Sequence, residues 1–221
     1  MYLLSKRILD IIVSILALIF LLPVFAPIVI ILRFTAEGEV FYFQQRIGMN
    51  NSKFWMWKFA TMLKDSINMG TGSITLQNDF RVTKIGKFLR KTKINELPQI
   101  INIIKGDISL VGPRPLVTKT FEAYSQDVKQ KIYKVKPGLT GIGSIVFRDE
   151  EKIISYVKDE DPHIFYKRVI APYKGELEMW YQSNRSFLID LKLIFITAWV
   201  ILFPKSKLYE KWFKDLPARD F

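Results

Sequence analysis

The strongest constraint on this chain is an apolar run near its start. Residues 8–32, ILDIIVSILALIFLLPVFAPIVIIL, carry only Asp10 and Ser14 as polar side chains. The run is longer than the apolar core of a secretory signal, lacks a good small-residue cleavage site, and is long enough to span a bilayer. Pro23 and Pro27 lie inside it. Each proline removes a helical hydrogen bond and crowds the preceding turn, so a break is expected at Pro23. Lys6 and Arg7 precede the run and Arg33 follows it, so the positive-inside bias selects no orientation. Residues 8–22 make about 22 Å of helix at 1.5 Å per residue, too short for a core of about 30 Å. Two readings stand level on these residues alone: a re-entrant helix returning to the face it entered, and a kinked single pass.

Composition sharpens the class. The 221 residues suit one ordinary domain. Lys and Arg number 33 against 21 Asp and Glu, a net charge of +12, yet 49% of residues are hydrophobic. Positive charge with that much apolar character points to a membrane surface and to phosphorylated ligands rather than to nucleic acid, for which no motif is present. There is no cysteine, and His163 is the single histidine. Disulfides, thiolate chemistry and His-rich zinc sites are excluded.

A second apolar stretch, residues 187–203, contains Asp190 and Lys192. Such charges are expensive inside a span, so an amphipathic interfacial helix is expected, with Trp199 at the headgroup level. A buried core helix is the competing reading. Between the two stretches, VFYFQQRIG and FWMWKF flank the turn MNNSK and predict an aromatic-rich hairpin. Residues 65–78 read as a loop. Helical spacing at Ile94, Leu97, Ile101 and Ile104 follows, and GDISLVGPRP closes that helix into an extended segment. Residues 121–135 are expected to be helical, KPGLTGIGSIVF to form a turn and strand, and residues 149–178 to be mostly helical. The fold class is α+β: residues 1–35 form the membrane helix, and residues 36–221 form one functional unit.

Chemistry concentrates at KTKINELPQI. Asn95 is a favoured helix N-cap, Pro98 fits a first turn, and Glu96 complements the helix dipole. On residue chemistry that structural role competes with a phosphate site built from free N–H groups, Arg90, Lys91 and Lys93, in which Glu96 holds a divalent cation or acts on phosphorus. Arg114 stands between Pro113 and Pro115, which hold the backbone extended and present a guanidinium fork suited to phosphate.

Taken together, RILDIIVSILALIFLLP, QQRIGMNNSKFWMWKFATM, INELPQIINIIKGDISLVGPRP, KVKPGLTGIGSIVFR and RSFLIDLKLI resemble, in order and over nearly the whole chain, the bacterial sugar transferases that are monotopic polyprenyl-phosphate phosphoglycosyl transferases. The resemblance implies an enzyme of the cytoplasmic face of the bacterial inner membrane, with a helix broken at Pro23. It implies transfer of a sugar 1-phosphate from a UDP-sugar to polyprenyl (undecaprenyl) phosphate, with release of UMP and use of Mg²⁺, as the first membrane step of glycan assembly. Membrane lipids, downstream glycosyltransferases or a second copy are the further partners implied. Lys58, Arg90 and Arg114 match the basic residues around the phosphates, Arg148 matches an arginine associated with the nucleotide, and Glu96 matches a metal-binding catalytic glutamate.

Three positions depart from the family pattern. Asn95 stands where a nucleophilic aspartate is usual, Glu178 where an aspartate near the site is common, and Ala60 where a basic residue is common. A neutral amide is not a phosphoryl acceptor. The departures leave three readings: Glu96 or Glu178 as nucleophile, direct attack by polyprenyl phosphate, or a catalytically impaired membrane-bound binder or scaffold.

Overall fold

A computed structural model describes residues 2–35, 37–72, 74–157 and 159–219. The expected 35/36 boundary touches Ala36, which lies outside the described residues. The first element is helix α1, Tyr2–Phe34. It is followed by strands β1, Phe41–Ile47, and β2, Lys53–Phe59. Helices α2, Lys84–Lys91, and α3, Gln99–Lys105, precede strand β3, Ser109–Val111. Helices α4, Thr118–Phe121, and α5, Gln126–Lys131, then lead to β4, Gly138–Thr140. The remainder is helical: α6, Ile142–Val146; α7, Glu150–Tyr156; α8, Pro162–Phe165; a π turn, Tyr166–Ile170; α9, Ala171–Asn184; α10, Phe187–Leu202; and α11, Leu208–Trp212. Mixed helices with two small sheets agree with the α+β expectation.

The hairpin forms where the sequence placed it, with Phe41 opposite Phe59 and Ile47 opposite Lys53 in an antiparallel register. Asn50 and Asn51 take left-handed backbone in its turn, a conformation asparagine tolerates. The β3 and β4 strands pair in parallel, Ser109 with Gly138 and Val111 with Thr140. Their approach depends on glycine: a Cβ on Gly138 would sit 2.1 Å from the Gly112 nitrogen, and one on Gly141 2.2 Å from the Gly112 carbonyl oxygen.

Several expectations are corrected. Residues 121–135 form no single helix; α4 and α5 are separated, and Ser125 caps α5 by accepting from the Val128 N–H. After β4 the chain turns into α6 instead of continuing as strand. The buried face of α3 is Gln99, Ile100, Asn102 and Ile103, while Ile101 and Ile104 are only half-buried. Asn102 is drawn inward because its Nδ2 donates to Trp55 O, 2.8 Å, and its Oδ1 accepts from Trp57 N, 2.9 Å. Those bonds tie α3 to β2 and offset the polar burial.

Helix α1 keeps helical backbone through Pro23 and Pro27, so the helix continues across the expected break. Two missing hydrogen bonds at i, i+4 positions fall on one face, and the rest of the ladder persists. Its two ends pack on the same body. At one end Arg7 donates to the Ile103 and Ile104 carbonyls, at 2.7 and 2.9 Å, satisfying the close of α3. Asp10, buried, accepts through Oδ1 from Ser109 Oγ and Leu110 N, at 3.1 and 2.9 Å. At the other end Leu32 packs with Phe59 and Leu89, and the Phe25 ring meets Phe59 edge-on at 5.3 Å. The middle stays bare: Ile12, Leu16, Ile19 and Leu22 are exposed and Phe20 is 76% exposed. The helix is long and apolar enough to cross a membrane.

Helix α10 unites both competing readings. Leu193, Ile196 and Val200 join the main core, while Leu188, Phe195, Trp199, Ile201 and Leu202 are exposed. Asp190 faces inward: it pairs with Lys6 at 2.6 Å and accepts from Tyr181 at 2.7 Å and Tyr2 at 2.8 Å. A charge whose alternative is unpaired burial finds a cation on α1 instead of the headgroup region.

The Asp10 contacts supply a test. Both bonds use Oδ1, which asparagine retains, so Asp10→Asn should leave thermal unfolding in detergent nearly unchanged. Asp10→Ala strands a buried N–H and hydroxyl and should cost about 1–3 kcal/mol.

Candidate active site

The turn after α2 creates the centre. Lys93 adopts left-handed backbone, φ 62°, and starts a single 3-10 turn, Ile94–Glu96, ahead of α3. Asn95 therefore does not cap a helix. Pro98 holds the position before α3, and Asn95 lies within the preceding turn, in helical rather than extended backbone. Asn95 is 7% exposed, and its Oδ1 has no protein partner.

Opposite this turn β2 presents Lys58, whose Nζ lies 3.8 Å from Glu96 Oε1, with side-chain exposures of 15% and 20%. Burial pushes the Glu96 carboxyl up, but the Lys58, Arg114, Lys93 and Arg46 charges outweigh it and hold it at about 2. Lys58 has the opposite fate. Burial, with Arg46, Arg114 and Arg90 nearby, lowers its ammonium to about 7 despite the attraction of Glu96. One acid among several cations stays charged, while the most enclosed cation loses its proton easily.

Arg114 enters from the segment after β3, whose backbone groups are fully engaged. The Arg114 N–H donates to Glu178 Oε1 at 3.2 Å, and its carbonyl accepts from Tyr133 Oη at 2.7 Å. The same hydroxyl accepts from Leu116 N at 2.9 Å, and Pro115 O accepts from Arg46 at 3.0 Å. The rigidity read from the two flanking prolines is thus reinforced by four hydrogen bonds to three distant residues, Glu178, Tyr133 and Arg46.

Lys58, Asn95, Glu96, Arg90, Arg114 and Arg148 line one cleft of about 1200 Å³. Arg90 pairs with Glu151 and lies 3.8 Å from Met62 Sδ, while Arg148 donates to the Val200 carbonyl of α10. Arg46, Asn95 and Ser144 each contribute a buried polar atom without a protein partner to residues lining this cleft. Such atoms need water or a polar ligand. Glu178 is not among the lining residues. It is 1% exposed, packs against Gly143, where a Cβ would come 2.3 Å from its Oε1, and is pushed up to about 7 by burial. It supports Arg114 from beneath.

Sequence reasoning missed Arg46, Tyr133 and Arg81. Arg46 alternates inward on β1, a signal the strand period carries, and burial with the neighbouring Arg114 lowers it to about 10. Tyr133 gave no local sign because its partners, Arg114 and Leu116, are 19 and 17 residues away. Arg81 gave none because its partners are mostly backbone carbonyls, which carry no residue-type signal.

Chemically, the site offers fixed cations for phosphate oxygens, an ionised carboxylate at Glu96, an amide oxygen at Asn95, and further carboxylates at Glu150 and Glu151 on the cleft lining. Among the described residues no group of three His, Asp or Glu side chains gathers as a metal cage. A hard divalent ion fits this donor set only by sharing itself with ligand phosphates, as Mg²⁺ commonly does.

The chain matches the family model described as bacterial sugar transferase over residues 1–204. It is 36% identical to a UDP-glucose:undecaprenyl-phosphate glucose-1-phosphate transferase of Klebsiella pneumoniae, over 91% of this chain and 41% of that protein. It is 34% identical to the uncharacterized sugar transferase EpsL of Bacillus subtilis, over 89% of this chain and 87% of that one. An undecaprenyl-phosphate galactose phosphotransferase of Salmonella typhimurium is 32% identical, over 89% and 40%. The chain thus spans about two fifths of the Klebsiella and Salmonella proteins.

Two measurements check this geometry. Tyr133→Phe removes the hydroxyl shared by Arg114 and Leu116; unfolding stability should drop by about 1–3 kcal/mol and pyrophosphate affinity should weaken with it. Lys58 is charged below about pH 7 and neutral above. A bound phosphate favours the charged form, so pyrophosphate affinity should be level below pH 7 and fall as pH rises beyond it. Lys58→Arg keeps its charge and should flatten that fall; a profile indifferent to the substitution would remove Lys58 from the phosphate site.

Proposed function

The chain belongs to the bacterial sugar transferase family, and from that premise we propose that it transfers a sugar 1-phosphate from a UDP-sugar to a polyprenyl phosphate, releasing UMP. The observation that carries this reading is the ionised Glu96 set among Lys58, Arg90 and Arg114 in a cleft beside a bare apolar helix. Phosphoryl transfer depends mainly on positioning and on neutralising charge over the phosphate oxygens. Arg114, on immobilised backbone, fixes the diphosphate. Lys58 and Arg90 supply neighbouring charge, and Arg148 takes the nucleotide end.

The acceptor step follows from which acids are available. Glu178, buried outside the cleft lining with its carboxyl pushed up to about 7, is unsuited to attack phosphorus because substrate in the cleft does not reach it. Asn95 offers no carboxylate, and Glu150 and Glu151 on the cleft lining are held in ion pairs by Lys174 and Arg90. Glu96 is engaged with Lys58, which makes it an organiser of charge. We read the transfer as direct: an oxygen of polyprenyl phosphate attacks the β-phosphorus, the bond to the bridging oxygen breaks, and UMP departs. Glu96 and the Asn95 amide oxygen would hold Mg²⁺ together with the substrate phosphates, where the ion neutralises phosphate charge.

The membrane reading rests on α1. Arg7 and Asp10 near one end and Leu32 near the other are held by the same body. That arrangement supports a helix that enters and leaves from one face, the cytoplasmic one, with the exposed apolar side of α10 alongside it in the interface. The binder-or-scaffold alternative has less behind it, because a scaffold has no need of an ionised carboxylate among cations in a cleft.

The purified chain in detergent should release UMP when given UDP-sugar, polyprenyl phosphate and Mg²⁺; silence across a panel of UDP-sugars would leave the scaffold reading. Glu96→Gln should lower kcat by about 100-fold or more. Intact mass should detect no sugar-phosphate adduct on the parent chain. Asn95→Asp supplies a carboxylate and should produce such an adduct; an adduct on the parent chain would assign Glu96 as nucleophile and overturn direct attack.

A further inference from the structure

The cleft has two chemically different walls. One carries Lys58, Arg90, Arg114 and Lys93; the other is the loop of residues 65–79, which contributes Thr75, Gln77 and Asn78. Charged groups suit phosphates. Neutral hydroxyl and amide groups, which both donate and accept, suit the hydroxyls and acetamido groups that distinguish one sugar from another. We propose that this loop reads the sugar, with Thr75, Gln77 and Asn78 as the residues that discriminate among UDP-sugars, a proposal that rests on the transferase reading above.

Three observations support it. First, the loop is built on a buried staple. Arg81, 1% exposed, donates to the carbonyls of Ser66, Met69, Gly72 and Ile74 at 2.7–2.9 Å and pairs with Asp79 at 2.6 Å. Among the described residues of this stretch, 65–72 and 74–79, the only regular element is a short 3-10 turn, Ser66–Asn68, and the Arg81 bonds give those residues a defined path. An ordered wall holds its side chains ready and lowers the entropy lost on binding.

Second, the three side chains are unoccupied. Gln77 and Asn78 are exposed and Thr75 is half-buried, and none makes a side-chain hydrogen bond among the described residues. Asn78 has φ +60°, a left-handed conformation that turns the chain at the rim.

Third, the loop and the phosphate wall are anchored on the same helix. Gln77 N donates to Ser155 Oγ at 2.8 Å, and α7 also carries Glu151, the partner of Arg90. Ser155 and Glu151 are one turn apart, so one helical turn holds Arg90 and residues 75–78 on a common cleft.

The test measures dissociation constants of the full chain in detergent for UDP, UDP-glucose, UDP-galactose, UDP-N-acetylglucosamine and UDP-N-acetylgalactosamine, with UMP release alongside. The variants are Thr75→Val, Gln77→Ala and Asn78→Gly, the last keeping the left-handed backbone. At least one variant should change the ratio between the best and next UDP-sugar by about 3- to 10-fold, the worth of one hydrogen bond. UDP affinity should stay within about twofold, which also reports an intact fold. Unchanged ratios in all three variants overturn the proposal while leaving the transferase reading standing. Equal weakening of UDP and every UDP-sugar also overturns it, assigning the loop to the nucleotide. If the parent chain binds and discriminates UDP-sugars without UMP release, the transferase reading fails and the sugar-reading wall survives. If it binds none of them, both fail.

Discussion

The segment from Gly112 to Leu116 is the hub on which the rest of the structure depends. Its groups bond to β4, to α9 through Glu178, to Tyr133, and to the hairpin through Arg46 and Ile47. Proline supplies no N–H at two of the five positions, so the remaining polar groups must be matched individually, and from Pro113 to Leu116 they are. The close approach of Gly112 to Gly138 and Gly141 makes the parallel strand pair possible. The consequence is chemical: Arg114 projects into the cleft from firmly held backbone, which lowers the ordering cost of binding an anion there.

Charge organisation follows a similar logic on two scales. Near the membrane helix, the buried Asp10 and Asp190 are met by N–H, hydroxyl and ammonium groups, so α1 is locked to the body through polar contacts at its base and apolar contacts at its far end. In the cleft the balance is deliberately unequal. Glu96 is outnumbered, remains ionised, and pulls Lys58 toward it, while the surplus positive potential awaits an anion. The unpartnered Asn95 Oδ1 and Arg46 Nε are the same surplus in hydrogen-bonding terms.

Much of the chain was legible because its signals are local. The apolar run, the aromatic hairpin, the Gly106 stop of α3 and the helical C-terminal half all arise from residues within one or two turns of each other. The reading of residues 121–135 as one helix failed because Ser125 offers a strong cap that starts α5 anew. The α3 face was misplaced because apolar spacing alone located it, although the amide of Asn102 turns inward to complete β2. Asn95 looked like a cap because capping is its commonest local use; the left-handed Lys93 had already begun the turn.

By itself the sequence determined that an apolar helix opens the chain and that basic residues cluster around Glu96 and Arg114. The resemblance to a known family added the expectation that Lys58, Arg90, Arg114 and Arg148 meet phosphates, and that Asn95 stands where a carboxylate is usual. Only the tertiary structure decided that these four and Glu96 share one cleft while Glu178 lies beneath it, that Tyr133 and Arg46 hold Arg114 in place, and that Arg81 shapes the opposite wall. Burial and long-range hydrogen bonds set these outcomes, and both depend on residues tens of positions apart in the chain being brought into contact.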